Sequence, residues 1–303
     1  MLNPGNLLQQ GKYRIIKQIG GGGMGLVYQA YYSLSPKNVA IKELIEQFST
    51  TQEREDGINL FLKEAQRLTV LDHPMVVKVF DFFIENNNYY LVMEYVDGQT
   101  LESLLKASSG GLPEAQVVDW AIKICNVLEY LHTQNPPVIF RDLKPANIML
   151  TQTGRLKLID FGIAREFKAS ATHDTTYLGS PGHAPPEQFG KGQTDARSDI
   201  YSLGATLHQL LTKRDPAINP FMFPPLRSIN PAVSKTMESI LAKCLQIDKA
   251  QRYQSVAEVR DALRLCLPTP VFWKTCPNCS RINKVTKELV SKWKFCIYCK
   301  HRL

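Results

Sequence analysis

The sequence predicts an α+β chain of two unequal lobes, the first mostly β and the second mostly helical, with a small metal-binding module appended. Three observations carry this. Short runs of β-branched and aromatic residues, broken by glycine and asparagine, fill the first 95 residues. From Asp97-Gly98 onward, apolar residues recur at gaps of three and four. The end of the chain carries two Cys-x-x-Cys pairs. A length of 303 residues and 44% hydrophobic content suit a two-lobed body with a sizeable core plus an appendage.

The first lobe builds up in order. Tyr13 to Ile19 and Leu26 to Tyr31 read as strands flanking Gly20-Gly21-Gly22-Gly23-Met24-Gly25, and Val39-Ala40-Ile41-Lys42 as a third. Phe61, Ala65 and Leu68 then recur at helical spacing. Val76 to Phe83 and Tyr89 to Tyr95 are strands joined by an Asn86-Asn87-Asn88 turn. In the second lobe, Val117, Ala121, Ile124, Leu128 and Leu131 line one helix face. Ile200, Leu203, Leu207, Leu210 and Leu211 mark a buried helix, and Met237 to Leu245 and Val256 to Leu265 two more. Proline-rich Pro216 to Pro231 is expected to be an irregular connection, and Leu267-Pro268-Thr269-Pro270 a stiff linker.

The glycines at 20, 22 and 25, followed by Val27, fit G-x-G-x-x-G-x-V, a loop whose backbone N–H groups can approach phosphates closely. A dinucleotide-binding loop would need a helix directly after the glycines, whereas Leu26-Val27-Tyr28 continues as strand. Lys42 on the next strand supplies a point charge for the α- and β-phosphates. Further on stand Phe140-Arg141-Asp142-Leu143-Lys144-Pro145-Ala146-Asn147 and, past a short hairpin, Asp160-Phe161-Gly162. Together they place two carboxylates, an amide and a lysine around one phosphoryl-transfer centre: one acid to accept a hydroxyl proton, the other with the amide to hold Mg²⁺.

In order and spacing these segments resemble the phosphate loop, catalytic loop and metal-binding triplet of bacterial eukaryotic-type (Hanks-type) Ser/Thr protein kinases, over about residues 10 to 266. The resemblance implies the two-lobed protein-kinase fold, with an N-lobe of about 10–95, a C-lobe of about 96–266, and ATP between them. It implies Asp142 as catalytic base, Lys144 as neutraliser of phosphoryl charge, and Asn147 and Asp160 as Mg²⁺ ligands. Glu64 would pair with Lys42; Glu53 and Glu55 precede the periodic stretch and fit less well. Met93, Glu94 and Val96 would form the hinge that binds the adenine edge, with Val27 and Ala40 above the ring and Met149 below it. Asp-Leu-Lys-Pro-x-Asn resembles the Ser/Thr-specific form, so the expected reaction is transfer of the ATP γ-phosphoryl to protein Ser or Thr hydroxyls.

Gly179 to Glu187 resembles the end of an activation segment. Ser180 would support Asp142 and Lys144, Glu187 would pair with Arg252, and Asp199 would hold the catalytic-loop backbone from below. Arg141 is a ready partner for a phosphate on Thr172, Thr175 or Thr176. Phe140 departs from the family pattern, which has His there. It would stack in an apolar column with Leu68, Val79 and Phe161, and its presence is what supports the alternative of a pseudokinase scaffold or nucleotide-dependent binding module.

The tail reads C-x₂-C-x₁₆-C-x₂-C, the spacing of a four-cysteine Zn²⁺ site formed by Cys276, Cys279, Cys296 and Cys299, with His301 a less suited substitute. A ribbon over 275–303, after a linker at 267–274, is expected to fold on its metal. From Pro268 onward eight basic residues face one acid, Glu288, so the tail holds +7 of the net +8. Such a tail can meet an acidic protein or nucleic acid, or can simply solubilise the metal site. Cys125, Cys244 and Cys266 read as buried hydrophobes. With no basic-then-apolar leader and no apolar run of about 18 residues, a soluble cytoplasmic protein without a transmembrane segment is expected.

Overall fold

The computed structural model describes all residues except 23–24, 45–50, 161–181, 190–192, 268–270, 277, 287–295, 297–298 and 301–303. The first lobe is a six-stranded antiparallel sheet of Leu7–Leu8 (β1), Tyr13–Gly22 (β2), Gly25–Tyr32 (β3), Lys37–Leu44 (β4), Val79–Glu85 (β5) and Asn88–Glu94 (β6). The strand order is β1-β2-β3-β4-β6-β5. Asn86 and Asn87 take left-handed φ values of 50° and 64°, which suits the β5–β6 turn because asparagine tolerates that region.

Side chains alternate across this sheet, so each face has its own core. One face packs on Thr51–Thr69 (α1), where Phe61, Ala65 and Leu68 are buried as their spacing predicts. The helix begins ten residues before that periodic stretch, so Glu53 and Glu55 lie within it. Residues 51–57 of the helix hold no apolar residue, so no repeat can be read there. The other face buries Tyr13, Tyr28, Phe83 and Tyr90 under Leu8, with Leu2 packed alongside. The Leu2 amide donates to the Tyr28 hydroxyl (3.0 Å), which donates to buried Glu43 (2.8 Å). Residues before position 10 are therefore part of this lobe. A two-residue strand such as β1 has no period for the sequence to show.

The second lobe contains Gly98–Thr100 (β7), Leu101–Ala107 (α2), Glu114–His132 (α3), Ile148–Thr151 (β8) and Leu156–Leu158 (β9). Beyond these come Ala196–Thr212 (α4), Leu226–Ile229 (α5), Lys235–Cys244 (α6) and Val256–Arg264 (α7). Strands β7, β8 and β9 form a small sheet between the lobes. On α3 the face at Val117, Ala121, Ile124, Leu128 and Leu131 is fully buried. Helix α4 is buried nearly all round and starts with an Asp195 cap and a reciprocal Ser198 bond, which fixes its first turn under the catalytic loop. The stretch 216–231 is not wholly irregular: α5 makes one turn within it, directly after Pro225 at its N-cap. Buried residues of both lobes join in one core that includes Leu68, Val79 and Phe140; Phe161 lies outside the described residues.

Val271–Thr275 (β10) and Ile282–Thr286 (β11) pair antiparallel, with Val271 opposite Thr286. Strand β10 begins inside the stretch read as a linker, because Val271, Phe272 and Trp273 find a pairing partner in β11. Among the described residues no helix is long and apolar enough to cross a membrane.

Candidate active site

Strand register sets the upper wall. Val27 lies opposite Lys42, Lys42 opposite Leu91, and Ala40 opposite Met93, so all five side chains share one face of the sheet. Gly22 pairs with Gly25 at the tip of the β2–β3 hairpin. Gly25 has φ +139°, and a Cβ there would stand 2.1 Å from the Glu43 carbonyl oxygen, so glycine is required where the loop presses on β4. In the small sheet, half-buried Met149 on β8 lies opposite Lys157 on β9. Lys42, Leu44, Val77, Val79, Leu91, Met93, Ile159 and Asp160 line a narrow cavity.

Lys42 is 5% exposed, and its Nζ lies 2.6 Å from Asp160 Oδ1. This bond ties β4 to the second residue after β9. Glu64 lies on α1, but its side chain lies outside the described residues, as do Thr172, Thr175, Thr176 and Ser180.

The catalytic loop is held from both sides. Asp142 is 3% exposed, with Lys144 Nζ at 3.1 Å from its Oδ2. Asn147 Nδ2 donates to the Asp142 carbonyl and to Oδ2, both at 2.8 Å. The amide nitrogen of Asn147 is thus committed, and Oδ1 is the atom it offers a cation. From below, buried Asp199 accepts the amides of Phe140 and Arg141 at 2.8 Å each, and His132 Nε2 lies 2.8 Å away. Two amides aimed at one carboxylate bend the chain sharply, and Arg141 takes φ +65°. Thr206 on α4 donates to the Leu143 carbonyl at 3.1 Å, fixing the next residue to the same helix. Phe140 is fully buried in the core.

Glu187 meets Arg252 in a bidentate pair of 2.8 and 2.9 Å, and Ser198 donates to Glu187 at 2.8 Å. Burial pushes the Glu187 carboxyl up, but the Arg252 guanidinium, with Ser198, outweighs it and holds the group below its ordinary value. Gly182 has φ +86° and lies so close to the Pro216 backbone that a Cβ would stand 2.3 Å from it. His183, buried and bonded to Gln209 at 2.8 Å, is kept below its ordinary pKa first by burial.

One contact had no signal in the sequence. Lys157 on β9 reaches the hinge, with Nζ 2.7 Å from Glu94 Oε2. A lysine in a three-residue strand looks like any solvated lysine.

In the tail, the sulfurs of Cys276, Cys279, Cys296 and Cys299 lie within 4.8 Å of one another. The described residues around the two pairs share one backbone bond. The Ser280 amide donates to the Cys276 carbonyl and the Lys300 amide to the Cys296 carbonyl, each at 2.9 Å. Ser280 and Lys300 have φ of 55° and 60°.

Comparison with known proteins agrees with this geometry. The protein kinase domain family matches residues 13–263. A probable serine/threonine-protein kinase of Streptomyces coelicolor is 37% identical over 276 residues, covering 85% of this chain and 40% of that protein. Serine/threonine-protein kinase PrkC of Bacillus subtilis is 35% identical over 261 residues, covering 82% and 39%. The chain thus spans about two fifths of the length of these curated relatives. Among solved structures, a double mutant of the Mycobacterium tuberculosis PknI kinase domain superposes with a TM-score of 0.70 at 25% identity, covering 88% of this chain and 99% of that one. With the matched span taking in both lobes and every motif of the cleft, the chain belongs to the protein kinase domain family.

Proposed function

We propose that the chain is an ATP-dependent Ser/Thr protein kinase that transfers the γ-phosphoryl group to protein hydroxyls. The observation that carries this is the catalytic loop: Asp142 is held by Asn147 and Lys144, beside a Lys42–Asp160 pair on the opposing wall. Asp142 accepts the hydroxyl proton as the nucleophile attacks, and Lys144 offsets charge on the transferred group. Lys42 holds the α- and β-phosphates, and the glycine loop covers them with backbone N–H groups. Adenine lies against Met93, Glu94 and Val96, between Val27 and Ala40 on one side and Met149 on the other. The donor set of Asn147 and Asp160 is hard oxygen, which suits Mg²⁺; the ion, when bound, neutralises phosphate charge. The catalytic body takes in the region of about 10–266. The deciding experiment is incubation with Mg-ATP followed by phosphosite mapping, with Asp142→Asn as control. Absence of incorporated phosphate on any Ser or Thr, in the chain or in an added protein, would end this reading.

Buried Phe140 acts by packing and takes no part in proton transfer. Phe140→His is expected to retain activity, since the ring still stacks. Phe140→Asp, at a fully buried site, is expected to unfold the loop at a cost of about several kcal/mol and abolish turnover. Initial rates of the two variants check this, and an unchanged rate in Phe140→Asp would refute the apolar-column argument.

The four thiols fit Zn²⁺. Tetrahedral bonds of about 2.3 Å put sulfurs about 3.8 Å apart, and Cys276–Cys299 and Cys279–Cys296 are 3.6 and 3.7 Å apart. One Zn²⁺ per chain is expected by elemental analysis under reducing conditions. Cutting after Leu267 is expected to remove it and leave the body folded. Metal-free protein refutes the site, and a body that melts without the tail refutes the boundary.

A further inference from the structure

Strand β9 is bound to both lobes by its backbone. The Leu158 amide donates to the Met75 carbonyl at 2.7 Å, and the Val77 amide donates to the Leu158 carbonyl at 3.2 Å. On its far side the Ile159 amide donates to the Asn147 carbonyl at 3.0 Å. The strand leads directly into Asp160. Lys157 lies directly opposite Met149 in the β8–β9 pair, so the two side chains are neighbours on one face of the small sheet.

From that face Lys157 Nζ reaches Glu94 Oε2 at 2.7 Å and the Val76 carbonyl at 3.4 Å. Glu94 Oε2 also accepts the Lys78 amide at 3.3 Å, while the Glu94 amide donates to the Lys78 carbonyl at 2.8 Å. The pair is well sheltered, with side-chain exposures of 15% for Lys157 and 31% for Glu94. It therefore retains more of its attraction than a surface pair. Lys157 thus touches the side chain of the hinge, the backbone of the segment after α1, and the strand carrying the floor of the adenine site.

We propose that Lys157 is a positioning residue for nucleotide binding, clamping the Glu94 hinge to Met149 and to the strand that delivers Asp160. This rests on the kinase reading above, in which the Glu94 segment and Met149 line the adenine site. Without the clamp, the hinge backbone and the floor no longer share one rigid anchor. The nucleotide must then fix their relative position when it binds, and affinity falls. Lys157 touches no reacting atom, so the chemical step itself is preserved once ATP is seated.

The test uses the full chain and four variants: Lys157→Met, Glu94→Gln, the two combined, and Lys157→Arg. KM for ATP and kcat are measured in phosphoryl transfer, ADP binding by calorimetry, and folding by thermal melt. Lys157→Met and Glu94→Gln are expected to raise both KM for ATP and the Kd for Mg-ADP about fivefold, and Lys157→Met, which lies outside the adenine site, to leave kcat within about twofold. The double variant is expected to be no worse than either single one, because both break the same contact. Lys157→Arg is expected to restore affinity. Unchanged KM and Kd in the single variants, whatever their melting temperatures, would overturn the proposal, as would additive losses. A wild-type chain that bound no ADP and transferred no phosphate would overturn the kinase reading along with it. One that binds ADP as tightly as Lys157→Met does would sink the clamp alone.

Discussion

Asp142→Asn is expected to leave a folded chain whose phosphoryl transfer falls by about a thousandfold. Asparagine has nearly the shape of aspartate, so contacts to Lys144 and Asn147 can survive in altered form. What it loses is the ability to accept a proton. Lys42→Ala and Asp160→Ala are expected to lose comparable activity for other reasons, the first by leaving phosphate charge unpaired and the second by removing an oxygen ligand of Mg²⁺. Single-turnover rates with Mg-ATP and a protein substrate, alongside circular dichroism, measure this. Wild-type-like turnover in Asp142→Asn would remove Asp142 from the base role.

The largest expected effect on stability comes from Arg252. Its guanidinium is fully buried and is bonded to both oxygens of Glu187 and to the carbonyls of Gln246, Arg197 and Ile247. Arg252→Met removes the cation paired with buried-side Glu187 and a donor from each of three carbonyls, at a cost of about 3–5 kcal/mol, or roughly 10 °C in melting temperature. Arg252→Met combined with Glu187→Leu should recover part of that loss, since no charge is then stranded. The pair also sets a pH limit. The Glu187 carboxyl lies below its ordinary value in the folded chain, so its contribution is complete above the ordinary carboxylate range. That contribution is lost as pH falls through the depressed folded value. Melts as a function of pH should show an acid-side loss that Glu187→Gln removes. A pH-independent difference between wild type and Glu187→Gln would contradict the linkage.

Much of this architecture is legible in the residue order, and the illegible parts share a cause. Strands β3, β4 and β6 and helices α3, α4, α6 and α7 bury apolar faces, and β2 buries Tyr13 and Ile15, so their period is written in apolar residues. Strands β1 and β7 have two and three residues, and helix α5 has four, too few to show a period. The proposed catalytic set is legible as a motif because Asp142, Lys144 and Asn147 are close neighbours in sequence. The Asp199 bonds to Phe140 and Arg141 span more than 50 residues and could be anticipated only through family likeness. Lys157 and the buried Glu43 cluster carry no sequence signal, because a charged residue on a strand looks the same whether it meets water or a partner.

The N-terminal segment has a practical consequence for anyone trimming this chain. Family similarity starts at Tyr13, yet Leu2 and Leu8 belong to the cluster that roofs Tyr13, Tyr28, Phe83 and Tyr90. The Leu2 amide also ends a relay through Tyr28 to Glu43, whose backbone is what Gly25 of the glycine-rich hairpin rests on. A version cut at the similarity boundary would bare an oily aromatic sheet face and loosen the floor of its own phosphate loop. The shortest stretch that looks like a relative is therefore shorter than the stretch that folds as one, and a bulky fusion partner placed directly at Leu2 would sit on that seam.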